Sequence, residues 1–249
     1  GESMSIINIG DKYTSNSGDF AVVVAISKNR ECTIKYLDSF GHEQRLRVDN
    51  LVRGKFKNPY KPVVFGVGYI GVGDYRASYK GSRKKTLEYQ AWKDMLKRCY
   101  SEKFLSKNKS YLGCSVSEDF LNFQVFAEWY TKQKNYGKGY HLDKDLLIKG
   151  NREYSKNACS LLPAEINSAI NIKSDCVGKD LPKCVQNTPS GRYVVRVRGL
   201  KGGSYVGTYD ELEDAVRSSL DARTLRMVEL YNKYESSLSE KQKVALLNW

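Results

Sequence analysis

The early part of the chain alternates apolar and polar positions, and helical spacing takes over after residue 86, so the pattern predicts β structure first and mixed structure later. Residues 20–26 form an apolar run of strand length. Residues 32–37 alternate, Asp38-Ser39-Phe40-Gly41 reads as a turn, and residues 44–48 alternate again. Leu87, Ala91, Trp92, Met95, Leu96 and Cys99 recur at helical spacing, with charges on the other face. Ser117 is placed to cap a second helix with the stripe Phe120, Phe123, Phe126, Ala127 and Tyr130. A short apolar run then ends in Leu142-Asp143-Lys144-Asp145, Gly150-Asn151 turns the chain, and residues 159–162 lead through Ile166-Asn167 into a helix. That order predicts a hairpin feeding a helix. Residues 191–198 alternate cleanly, Lys201-Gly202-Gly203 turns, and residues 204–209 return. Asp210 and Glu213 have capping-box spacing ahead of a helix through Leu212, Ala215, Val216, Leu220, Arg223, Met227 and Leu230. Residues 237–249 predict a short capped helix that docks through Val244, Leu247 and Trp249.

These elements predict a multi-domain α+β chain. A small β-barrel is expected over 4–58, a Gly/Pro-rich basic linker arm over 59–86, a core of hairpin and packing helices over 87–174, a sheet-and-helix unit over 178–235 and a C-terminal helix over 236–249. The Gly-x-Gly pairs around Gly66 and Gly71 precede no helix start at phosphate-loop spacing, which excludes a nucleotide loop.

Charge changes the picture most. The 249 residues carry 41 Lys and Arg against 28 Asp and Glu, a formal net charge of +13, which favours a polyanionic partner. Nucleic acid is the commonest one. The basic clusters do not lie on helices with broad apolar faces, and no apolar run approaches the ~20 residues of a membrane span, so no membrane partner is expected. The six cysteines show no zinc-ligand spacing and read as buried thiols of a reducing, cytoplasmic setting. No leader is expected; Gly1-Glu2-Ser3 ahead of Met4 is set aside as a cloning remnant.

Two basic stretches carry the candidate binding chemistry. Arg83, Lys84 and Lys85 close a run that also holds Arg76, Lys80, Tyr75 and Tyr79, a composition suited to tracking a DNA backbone. On the strand at 191–198, Arg192, Arg196 and Arg198 fall on one face with Val194, and Lys201 lies at the same end. Guanidinium groups so arranged repel each other unless an anion is near, and they can read guanine edges or hold phosphates.

The stretch at 140–167 resembles the HNH family of nucleases, especially its phage-type branch, through Leu142-Asp143-Lys144-Asp145, Gly150-Asn151, Tyr154-Ser155 and Cys159. That resemblance implies a ββα metal site and a Mg²⁺ or other divalent ion in an active enzyme. Asp143 matches the metal-binding acid, and Asn157 is the nearest side chain to the second ligand position, where Ala158 stands. Lys144 occupies the position of the catalytic base, and His141, two residues before Asp143 on the same strand face, is the substitute base. The N-terminal strands are similar to Tudor/KOW-type barrels, which dock on nucleic acid or protein. Arg192-Tyr193-Val194-Val195-Arg196-Val197-Arg198, a glycine turn, Tyr205-Val206-Gly207-Thr208-Tyr209 and an acidic-capped helix resemble the ethylene-response-factor (AP2-type) DNA-binding domain, in which a three-stranded sheet lies in the major groove. Together the resemblances imply a double-stranded-DNA-binding protein of phage or mobile-element type, acting in the cytoplasm of an infected bacterium. Lys144 and Ala158 favour weak or no cleavage. An active Mg-dependent nicking or homing endonuclease, and a phage interaction protein that redirects a host protein, are the alternatives.

Overall fold

The apolar run after Asp19 builds an antiparallel meander. In the computed structural model, which describes residues 6–171 and 180–249, β1 (Lys12–Thr14), β2 (Phe20–Ser27), β3 (Glu31–Tyr36) and β4 (Glu43–Arg47) pair in sequence order. Cys176 and the expected boundary at 174–178 lie outside the described residues. Alternation sends Ala21, Val23, Cys32, Ile34 and Tyr36 to one face, where Phe56 and Leu51 of α1 (Val48–Val52) join them in a core. The expected barrel does not close: among the described residues no pairing joins β4 to β1. β1 is three residues long, β2 shifts register between Val23 and Ala25, and α1 with Phe56 covers the inner face in place of further strands.

Asp19 ties this sheet to the next segment. Its carboxylate accepts from the Asn58 amide at 3.2 Å and lies 3.1 Å from the Lys61 ammonium. Tyr60 and Tyr69 sit 5.0 and 5.1 Å from the Phe40 ring on the β3–β4 turn. Residues 64–75, expected within an extended arm, instead lie along the helical core, where Val64, Phe65, Val67, Ile70 and Tyr75 pack. Gly68 permits that approach, because a Cβ there would run into Trp92 and Leu96. The Gln124 side chain fastens the far end, donating to Ile70 O and Tyr75 O and accepting from Tyr75 N.

The core is built on α2 (Leu87–Tyr100) and α4 (Phe123–Thr131), with a short α3 (Glu102–Leu105) between them. Thr86 caps α2 by accepting from Tyr89 N. Ser117 does not cap α4: its hydroxyl donates to Asp119, a 3₁₀ turn intervenes, and Asn122 accepts from Gln124 N as the cap. The expected stripe is nonetheless buried, with Phe120, Phe123, Phe126 and Ala127 fully inside and Trp92 donating its indole N–H to Phe120 O. Each buried phenylalanine contributes about 1.5–3 kcal/mol of apolar transfer.

The predicted hairpin and helix are present: β6 (His141–Asp143) pairs antiparallel with β8 (Ser160–Leu162), and α5 (Ala164–Ile170) follows. Between them β7 (Glu153–Tyr154) pairs in parallel with β5 (Ser115–Val116). The C-terminal sheet runs β11 (Tyr205–Tyr209), β10 (Tyr193–Arg196), β9 (Val185–Asn187), with β10 central. α6 (Leu212–Tyr234) joins two cores: Ala215 and Ala222 pack on that sheet, while Met227 and Leu230 pack with Leu162, Ile166 and Ile170. The expected Asp210–Glu213 cap does not form; the N-cap is Glu211, with no side-chain bond. α7 (Glu240–Leu247) starts in a Ser239–Gln242 capping box and docks through Leu246, with Trp249 packed against the same core as expected, whereas Val244 and Leu247 are exposed. The chain is thus α+β, with helices and antiparallel sheets largely segregated.

Candidate functional site

The outer face of the C-terminal sheet follows from its register. Val195 and Val197 are buried with Ala215 and Ala222 of α6, and Arg196 is exposed on β10; Arg192 and Arg198, expected on the same strand, lie just outside it and are exposed. Gln186, Val194 and Thr208 form one row across the sheet; Arg196 faces Tyr205 past a register shift after Val195. The guanidinium of Arg196 lies 5.6 Å from the centre of the Tyr205 ring, whose hydroxyl is 3.1 Å from Thr208 Oγ1. Arg192 is gripped from across the strand: its Nε is 2.6 Å from Asp210 Oδ1 and its Nη2 3.4 Å from Oδ2. Arg198 and Lys201 are exposed and form no ion pair among the described residues. Asp210 and Tyr205 were not found as site residues from the sequence. Pairing outward from the turn at 199–203 gives both, because Tyr193 opposite Tyr209 puts Arg192 opposite Asp210.

Arg83, Lys84 and Lys85 form a second basic surface. Tyr79 N donates to Lys84 O, and Ser78 bridges Lys85, so residues 78–85 make a small hairpin. Thr86 anchors it by donating to Arg76 O while capping α2. The three basic side chains and Tyr79 are exposed, with the Lys84 ammonium 5.9 Å from the Tyr79 ring and the Lys85 ammonium 5.3 Å from Tyr89.

The hairpin-helix region does not assemble the expected catalytic group. Asp143 is buried, and its Oδ2 accepts the backbone N–H groups of Asp145 at 2.9 Å and Leu146 at 2.7 Å. Burial raises its pKa above the ordinary carboxylate value; those amides and Lys144 oppose the shift, and Asp145 adds to it. Lys144 is buried as well, donating to Asp145 Oδ1 at 2.7 Å and Asn151 O at 3.0 Å, with its ammonium 5.7 Å from the Tyr154 ring. Tyr154 belongs to the main core, and burial pushes its phenol pKa well up. His141 is exposed, unlike Asp143, and its Nδ1 lies 3.5 Å from the Asn167 amide of α5. Asn157 is exposed on the turn before β8, and Ala158 is buried. Asn167 is a neighbour of His141 that the spacing along the sequence does not mark out.

These residues do not fit a divalent ion. Asp143 is turned onto backbone amides, Asp145 is paired with Lys144, and no group of three or more His, Cys, Asp or Glu side chains is poised for a metal among the described residues. The free cysteines Cys32, Cys99, Cys114, Cys159 and Cys184 are all buried, and burial pushes the Cys159 thiol up to about 12. No described helix is long and apolar enough to cross a membrane. No protein-family model, curated protein or solved structure matches the chain.

Proposed function

We propose that this protein binds duplex DNA through the outer face of the β9–β11 sheet and the basic hairpin at 78–85, and that its HNH-like core serves as a scaffold with weak or no cleavage activity. One observation carries the reading. Arg196 on β10 and Arg192 and Arg198 just outside it are exposed and pack in no core among the described residues, while Val195 and Val197 are buried. The fold gains no burial from those arginines. A polyanion gains three guanidinium groups able to bond guanine edges or phosphates. The net charge of +13 supports the same partner, as does the resemblance to ethylene-response-factor domains.

The scaffold reading rests on Lys144. An ammonium cannot accept a proton, and this one is buried between Asp145, Asn151 and Tyr154.

Titrating labelled duplex with the protein at several salt concentrations tests the binding. Log affinity should fall linearly with log salt, by about 0.9 for each phosphate neutralised. Affinity that ignores salt contradicts the reading. Absence of duplex binding, combined with stoichiometric capture of a host protein from nuclease-treated extract, would transfer support to an interaction protein.

A further inference from the structure

Asp210 is an acid paired with one of the arginines that the proposed DNA contact uses. It stands one residue beyond the last strand pair, Tyr193 opposite Tyr209, as Arg192 does on the other side, and the two side chains meet there. As a stabilising device it is weak: the two side chains are 46% and 75% exposed, and exposed ion pairs contribute little to folding. Nor does it cap α6, the role its sequence position suggests. What it does is geometric. By taking Nε and Nη2 of Arg192 it grips one side of a planar group whose five N–H donors have a fixed arrangement. The end formed by Nη1 and the outer N–H of Nη2 stays free, with the plane and direction of the fork set in advance.

We infer that Asp210 is a positioning residue for base reading: it holds Arg192 so that the free fork donates to the O6 and N7 acceptors of a guanine. The inference rests on the duplex-DNA reading above and assigns a base to one of its arginines. The carboxylate also repels phosphate oxygens, so it weakens binding to any duplex that offers Arg192 no guanine. Arg198 and Lys201 have no such holder and are left for phosphate contacts, which need charge but no fixed plane. A held arginine loses less side-chain freedom on binding than a free one, so its bond to the correct base is stronger for the same contact.

The test is Asp210→Asn, compared with wild type on the site recovered from a randomised duplex pool and on that site with 7-deazaguanine at each guanine in turn. In wild type one guanine should show roughly tenfold discrimination, within the range of a bidentate arginine contact. In the variant that discrimination should collapse towards onefold. Affinity for unrelated duplex should rise at the same time, and the salt slope should steepen by about one as Arg192 becomes a phosphate contact. A merely structural role would lower thermal stability and leave the discrimination ratio alone. Arg192→Lys keeps the charge and loses the fork, so it should lose the same discrimination even if Asp210→Asn does not fold. Full discrimination in either folded variant overturns the inference while leaving duplex binding standing. Absence of duplex binding by wild type overturns the reading beneath it, and this one with it.

Discussion

The Lys144 ammonium is held 2.7 Å from the Asp145 carboxylate, with the lysine side chain only 8% exposed. Removing one partner of a buried pair leaves the other charge unmatched, at about 3–5 kcal/mol. Lys144→Ala should therefore lower the unfolding free energy by roughly 3 kcal/mol, read by urea denaturation. The double change Lys144→His with Ala158→Asn would restore an HNH-like sequence. It should still give no nicking of supercoiled plasmid in Mg²⁺, because both positions face the interior. Nicking by that variant would mean the core can assemble a site that its geometry does not contain.

Asp143 separates a structural role from a catalytic one. Its Oδ2 serves two backbone amides, and asparagine can offer an oxygen in the same place. Asp143→Asn should stay within about 1 kcal/mol of wild type at pH 7, whereas Asp143→Ala, which strands both amides, should lose about 1–3 kcal/mol. Burial raises the native pKa above 3.8, so the folded state holds the proton more tightly than the unfolded chain. Stability from this group falls as pH rises from 3.8 through the raised value, and Asp143→Asn should lack that fall.

Asp19 has the opposite sign. Burial works to raise its pKa, but hydrogen bonds from Ser17, Lys61, Asn58 and Ser15 outweigh it and hold the carboxyl below 3.8. Its stabilisation is full above 3.8 and is lost as pH falls through the lower native value. Acid titration of wild type against Asp19→Asn, followed by the fluorescence of Tyr60 and its neighbours, should show the variant already weakened at pH 7 and less sensitive to acid. Parallel curves for the two proteins would contradict this.

Limited trypsin digestion distinguishes a packed segment from an arm. Residues 64–75 lie on the core, while Lys80, Arg83 and Lys84 stand exposed on the small hairpin. Cleavage should begin at residues 80–85, and duplex DNA should slow it. Trypsin has no site within residues 62–75, so a parallel chymotrypsin digestion covers them, and first cleavage there at Phe65 or Tyr69 would show that the packing of that segment does not persist in solution.

Periodicity made much of this fold legible. The stripe of α4, the buried face of α2, the hairpin before α5 and the two faces of β10 all follow from spacings of 3.6 or 2.0 residues. What was not legible depended on contacts distant in sequence. Gly68 and Gly73 read as linker residues because Trp92, Leu96 and Gln124, which explain their lack of a Cβ, lie far along the chain. α7 docks through Leu246 because Gln242 fixes its rotation by donating to Leu161 O, 81 residues away. Asp210 looked like a helix cap for the same reason: its partner Arg192 comes into reach only when β10 and β11 pair. At the candidate site the sequence exposed the departure at Lys144, but only burial shows that this lysine belongs to the core and that Asp143 faces backbone amides.

The most direct test of DNA binding by the sheet is the triple variant Arg192/Arg196/Arg198→Ala, compared with wild type by duplex titration across a salt series. Folding is checked first, and should hold because none of the three side chains packs in a core. The account predicts a folded protein with much weaker duplex binding, a salt slope shallower by about two to three, and no remaining preference for a selected site. A folded triple variant that binds duplex DNA with the affinity, salt slope and site preference of wild type would contradict it.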